Sequence, residues 1–106
     1  WHMKAIEVNE DTEFQMGKFG LLEPVDGKEL APDNIDLVLV PLLVMDKKGF
    51  RVGYGKGVYD RFLTQCRPDC IKVGLSYFEP IEKIEDRGEF DVPLDFAVTP
   101  EGYYVF

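Results

Sequence analysis

Histidine is almost missing from this 106-residue chain: His2, beside the amino terminus, is the only one. Without a placed histidine, Ser-His and Cys-His nucleophile schemes lack their base, which argues against hydrolase triads. Cysteine is nearly as scarce. Cys66 and Cys70 are spaced C-x-x-x-C with no second pair and no nearby histidine to complete a tetrahedral metal site, so they read as reduced, partly buried thiols. Positive charge is in short supply as well, with 12 Lys and Arg against 20 Asp and Glu and a net charge of −8. That balance argues against nucleic-acid and anionic-membrane binding, both of which rely on summed basic charge. The longest apolar run, "LVLVPLLVM" at 37–45, is half the roughly 18 residues a membrane span needs, and it contains a proline. With no signal-peptide pattern, the cytoplasm is the expected compartment.

What is present is an ordinary globular composition, 45 % hydrophobic and 30 % charged, in a length that suits one domain over residues 1–106 with one modest core. The few basic residues are not evenly spread. Lys47, Lys48, Arg51, Lys56 and Arg61 fall within positions 47–61, around the stretch "FRVGYGKGVYDRFL" (Phe50 to Leu63). Gly53, Gly55 and Gly57 recur there at every second position and give way to a helix-like pattern. Glycine permits the close approach and positive φ that let several backbone N–H groups converge on a phosphate, and a helix N-terminus adds its own N–H groups and partial positive charge. The spacing is neither the G-x-G-x-x-G dinucleotide fingerprint nor G-x-x-x-x-G-K-[ST], because the lysine precedes the last glycine and no hydroxyl follows it. On spacing alone, a phosphate loop and a mobile turn with solvated charges both stand. Asp60 is similarly double: an acid in the first helical turn suits the macrodipole, and beside a triphosphate it suits Mg²⁺. Asp95 reads as a second such carboxylate or as a turn residue.

Along the chain, "KAIEV" (Lys4 to Val8) predicts a short strand followed by the acidic turn "NEDTE", and "KFGLLEPVDGKEL" an irregular segment. "IDLVLVPLLVM" predicts a strand over about 36–40 buried on both faces, ended or bulged by Pro41, with an irregular apolar exit. "VYDRFLTQC" predicts a helix stopped by Pro68; "IKVGLSY", "DFAVTP" and "YYVF" predict three further strands. Strand, loop, helix and strand in that order form a βαβ unit with parallel pairing, whose ligands sit at the carboxyl ends of the strands.

These segments together resemble the 5-formyltetrahydrofolate cyclo-ligase (5,10-methenyltetrahydrofolate synthetase) family. The resemblance is carried by "IDLVLVPLLVMDKKGFRVGYGKGVYDRFL", by "FGLLEP" upstream and by "EFDVPLDFAVTPEG" downstream, in order over about residues 3–102. It implies a Rossmann-like three-layer α/β sandwich of the NagB/RpiA/CoA-transferase-like type, with a mostly parallel sheet. It also implies ATP- and Mg²⁺-dependent conversion of 5-formyltetrahydrofolate to 5,10-methenyltetrahydrofolate. In that reaction the formyl oxygen attacks the γ-phosphate, N10 attacks the activated carbon, and phosphate leaves, so positioning and charge neutralisation suffice without a protein nucleophile.

By matching position, the resemblance places ATP against Arg51, Val52, Gly53, Tyr54, Gly55, Lys56, Gly57, Val58 and Tyr59, with Lys56 and Tyr59 as the catalytic pair. It places Mg²⁺ at Asp60 and Asp95, and the folate at Phe19, Tyr54 and Val58. Val58 departs from the family, many members of which carry an aromatic there. A larger departure is that full-length members carry an amino-terminal, largely helical segment that this chain lacks. Truncation of this kind predicts weak or absent activity for the chain alone and an apolar sheet face that could drive homodimerisation. A nucleotide-binding module and an inactive remnant remain the alternatives.

Overall fold

A computed structural model of the chain describes residues 3–17, 20–53, 57–85 and 91–106. The branched-apolar run forms strand β5 (Leu37–Pro41), and it is the scaffold on which the rest is hung. Before it lie four short strands, β1 (Ala5–Ile6), β2 (Phe14–Met16), β3 (Leu22–Pro24) and β4 (Glu29–Leu30). After it come β6 (Val44–Met45), β7 (Arg51–Val52), helix α1 (Val58–Gln65), β8 (Ile71–Leu75), β9 (Phe96–Thr99) and β10 (Gly102–Val105).

The main sheet has the order β10-β9-β8-β5. β5 pairs parallel with β8, and β8 parallel with β9, while β10 returns antiparallel on β9. The β5–α1–β8 unit and its parallel pairing are as the sequence predicts, and the sheet is mixed, with a parallel centre and an antiparallel edge. Pro41 is the last residue of β5, opposite Leu75, where its missing N–H costs the ladder least.

Two expectations are corrected. The segment from Lys18 to Leu30 is not irregular in its described part: β3 forms a hairpin with β2, and β4 pairs antiparallel with β1. The apolar exit after β5 is also ordered, because β6 and β7 form a hairpin across the "DKKG" turn. The fully buried Asp46 makes that turn. Its Oδ1 accepts from the Lys48 N–H at 3.0 Å and the Phe50 N–H at 3.1 Å, and its Oδ2 from the Ile84 N–H at 3.1 Å. An Asp at the head of a turn that satisfies backbone donors two and four residues on is local chemistry, yet its third bond is 38 residues away.

Period-2 alternation divides the sheet into two unlike faces. On one, Val38, Val40, Gly74, Ala97 and Tyr104 face α1 and the loop carrying Leu94. Leu63 joins Val40, Leu42, Met45, Leu94 and Ala97 in one cluster, and Phe62 joins Cys66 and Cys70 in another, so adjacent helix residues anchor adjacent parts of the core. Gly74 is required by the packing: a Cβ there would lie 2.6 Å from Leu94 Cδ1 and 2.8 Å from Leu42 Cδ2. The opposite face is bare, so two layers, not three, are present among the described residues.

Candidate phosphate site at the start of the helix

The two hairpin strands β6 and β7 carry the chain from the carboxyl end of β5 to Arg51, and the glycine loop then leads into α1. Gly57 is the helix N-cap, in a left-handed conformation at φ +61° that an L side chain rarely adopts. Among the described residues no side chain caps the helix there, and the amides of a helix's first turn have no acceptor within the helix itself. Among the described residues nothing lies within 4 Å of where a Cβ on Gly53 would stand. Arg51, Gly53, Val58, Tyr59 and Asp60 line a cleft of about 120 Å³ that reaches Pro41. Tyr54, Gly55 and Lys56, predicted to hold ATP, lie outside the described residues, as does Phe19, predicted to meet the folate.

Arg51 has a neighbour set that its spacing does not reveal. Its Nη2 donates to Asp60 Oδ1 at 2.8 Å, its Nη1 donates to the Val92 carbonyl, and the Val92 N–H donates to the same Asp60 Oδ1 at 3.1 Å. The Arg51 side chain is only 4 % exposed, against 27 % for that of Asp60. Arg51 enters the loop and Asp60 follows it, so their pair clasps the two ends of the loop to each other and to the segment at Val92. Sequence reasoning missed Val92, and a backbone partner 41 residues away leaves no local signal.

Asp95 sits elsewhere. It precedes the first residue of β9, and its Oδ2 accepts from the Lys72 N–H at 2.9 Å with Lys72 Nζ at 3.5 Å. The structure therefore brings Arg51, Asp60, Val58 and Tyr59 together, while Asp60 and Asp95 stand on separate ion pairs with no shared partner among the described residues. Among the described residues no three His, Cys, Asp or Glu side chains cluster as a metal site would need. Both carboxylates are hard oxygen donors that keep solvent access, so a Mg²⁺ completing its shell with phosphate oxygens and water fits either of them, sharing the carboxylate with its cation. Tyr59 packs against the Leu63 cluster, and burial pushes its phenol above the usual tyrosine range, with the Arg51 guanidinium pulling the other way. The proton is held firmly on that oxygen.

A second, larger cleft of about 400 Å³ adjoins the first at Pro41. Leu42, Leu75, Ser76, Val98 and Thr99 line it at the carboxyl ends of β5, β8 and β9, the expected edge for a ligand in a parallel sheet.

A mixed sheet with a parallel centre, a helix on one face and clefts at its carboxyl edge defines an α/β protein, and the comparisons narrow that class. The chain belongs to the 5-formyltetrahydrofolate cyclo-ligase family, whose model it matches over residues 1–100. The 5-formyltetrahydrofolate cyclo-ligase of Haemophilus influenzae is 38 % identical over 88 residues, which cover 79 % of this chain and 46 % of that protein. The probable 5-formyltetrahydrofolate cyclo-ligase of Schizosaccharomyces pombe is 32 % identical over 114 residues, 93 % of this chain and 56 % of that one. Among solved structures, the 5,10-methenyltetrahydrofolate synthetase of Aquifex aeolicus superposes with a TM-score of 0.80 at 34 % identity, over 96 % of this chain and 52 % of that one. The chain thus spans about half the length of the curated relatives it matches. The family is one of ligases, and its members named here are enzymes.

Proposed function

We propose that this chain carries the phosphate- and Mg²⁺-binding half of a site for ATP-dependent conversion of 5-formyltetrahydrofolate to 5,10-methenyltetrahydrofolate. The observation that carries the reading is the start of α1, which no side chain caps among the described residues and which follows a glycine loop whose two ends are tied together by Arg51 and Asp60. Such a site supplies N–H donors already aimed at an anion, with no reorganisation needed when phosphate arrives. In this reading Gly53, Gly55 and Gly57 admit the phosphates and Lys56 neutralises them. Arg51 positions the loop from beneath, in place of the direct charge contact its type suggests. Tyr59 offers a phenol that stays protonated and can donate. Mg²⁺ at Asp60, with Asp95 as the second candidate, would offset charge on the transferring phosphoryl group. The larger cleft beside Pro41 suits the ring system of the folate; Val58, Tyr54 and Phe19 remain the residues that the family resemblance offers for contact with it.

The three-layer Rossmann-like arrangement and a cytoplasmic setting belong to the same proposal; no helix among the described residues is long and apolar enough to cross a membrane. A second reading, a nucleotide-binding module or inactive remnant without turnover, is supported by the match to only about half of each relative. Homodimerisation through the bare sheet face fits either reading.

Calorimetric titration with Mg·ATP and then with 5-formyltetrahydrofolate tests these readings. Heat from both ligands is expected for the half-site, heat from nucleotide alone for the module, and silence from both contradicts either. Lys56→Ala is expected to weaken nucleotide binding by roughly tenfold, the scale of one charge-assisted contact, while the melting midpoint moves by less than about 2 °C.

A further inference from the structure

The larger cleft at the carboxyl ends of β5, β8 and β9 has mostly apolar walls and, among the described residues, one aromatic side chain in its lining, Tyr77. That ring stands two residues beyond the end of β8 and is 85 % exposed, more than any other large apolar side chain among the described residues. An exposed tyrosine by itself calls for no explanation, since much of any protein surface is apolar. Its backbone, however, is held on both sides. The Ser76 N–H donates to the Val98 carbonyl at 3.1 Å, and the buried Ser76 Oγ donates to the Phe78 carbonyl at 2.9 Å while accepting from the Phe78 N–H at 3.0 Å. One hydroxyl thus closes the turn across Tyr77 itself, which fixes the place from which the ring is presented. Leu75 and Val98, cross-strand partners on β8 and β9, line the same cleft and add apolar surface beside it.

We propose, on the reading of the site given above, that Tyr77 is the stacking wall of this cleft and takes the flat pyrimidinone half of the folate's pteridine against its ring face. Two flat nitrogen heterocycles take part in that reaction, the pteridine and the adenine of ATP, and both stack on aromatic rings. Position decides between them. The larger cleft meets the loop cleft at Pro41, so a ring lying in it is next to the phosphate end of the nucleotide. The pteridine carries the formyl group on N5 and has to lie there for phosphoryl transfer to reach the formyl oxygen. The adenine is held away from the terminal phosphate by a ribose and two phosphates. Val58, which lines the loop cleft, has no ring to offer, so more of the contact falls to Tyr77. A tyrosine has only two side-chain torsions to order, and on a turn already closed it binds at small entropic cost.

Calorimetric titrations with 5-formyltetrahydrofolate and, separately, with Mg·ATP test the contact in Tyr77→Ala, Tyr77→Phe and Phe78→Ala. Phe78 is the control, a second exposed aromatic on the same turn that does not line the cleft. Tyr77→Ala is expected to bind the folate roughly tenfold more weakly, the scale of one ring-on-ring contact, with its affinity for Mg·ATP unchanged. Tyr77→Phe keeps the ring and is expected to keep the affinity, and Phe78→Ala is expected to match the unaltered chain. In proton spectra the Tyr77 ring resonances, assigned by their absence from Tyr77→Phe, are expected to shift when the folate is added. Because the ring is exposed, the melting midpoint of Tyr77→Ala should move by less than about 2 °C, which separates lost binding from lost folding. Unchanged folate affinity in Tyr77→Ala, an equal loss in Phe78→Ala, or a loss confined to Mg·ATP would each overturn the inference and leave the phosphate site standing. Silence from the unaltered chain with both ligands would instead contradict the reading of the site, and the inference would fall with it.

Discussion

The two faces of the main sheet are made of the same residue types and have opposite fates. Val40 and Ala97 are completely buried under α1, while Leu39 and Val98, their immediate neighbours on the same strands, are about half exposed. Hydrophobicity alone did not decide which face was covered; the presence of a covering element did. The chain's stability therefore rests on one face of the sheet.

The comparison breaks most clearly at its best-packed point. Leu63→Ala removes the helix's anchor in the main cluster and is expected to cost about 2–5 kcal/mol, whereas Leu39→Ala on the bare face is expected to change stability by less than about 0.5 kcal/mol. Urea denaturation of the two variants side by side measures the contrast, and equal losses would show that the open face is covered in solution. Arg51→Met comes next. It leaves Asp60 without its cation and Val92 without one of its bonds, at a cost of about 1–3 kcal/mol, discounted because Asp60 is partly solvated. Nucleotide affinity is expected to fall with it, since the loop loses its clasp, and Arg51→Lys is expected to restore only part. A variant with normal affinity would show that the clasp does not shape the loop.

The smallest effect concerns pH. The folded state holds the Tyr59 proton more tightly than the unfolded chain does, so the associated stability is complete below the ordinary tyrosine value near 10 and is lost as pH rises through the folded value. Tyr59→Phe is expected to flatten the alkaline decline of the melting midpoint by an amount worth less than about 1 kcal/mol.

Much of this fold was legible in the sequence. β5, α1, β8, β9 and β10 fall within a residue or two of where the apolar runs, the helical spacing and Pro68 place them, because each is longer than four residues or bounded by a strong breaker. The hairpins were not legible. "FQM" and "LEP" are too short to show alternation, and the β6–β7 pair depends on Asp46, whose third hydrogen bond comes from Ile84. The site was legible in kind but not in wiring. Glycine spacing and a helix start predict an anion loop from local residues alone, while the bonds of Arg51 to Asp60 and Val92 leave no trace in that spacing. No local pattern encodes a contact across 41 positions.

The central claim is that the glycine loop and the start of α1 hold the phosphates of a nucleotide. It is tested most directly by calorimetric titration of the chain with Mg·ATP, beside Lys56→Ala. The account predicts heat of binding from the chain and affinity roughly tenfold weaker in the variant. No heat from the chain, or unchanged affinity in the variant, would contradict it.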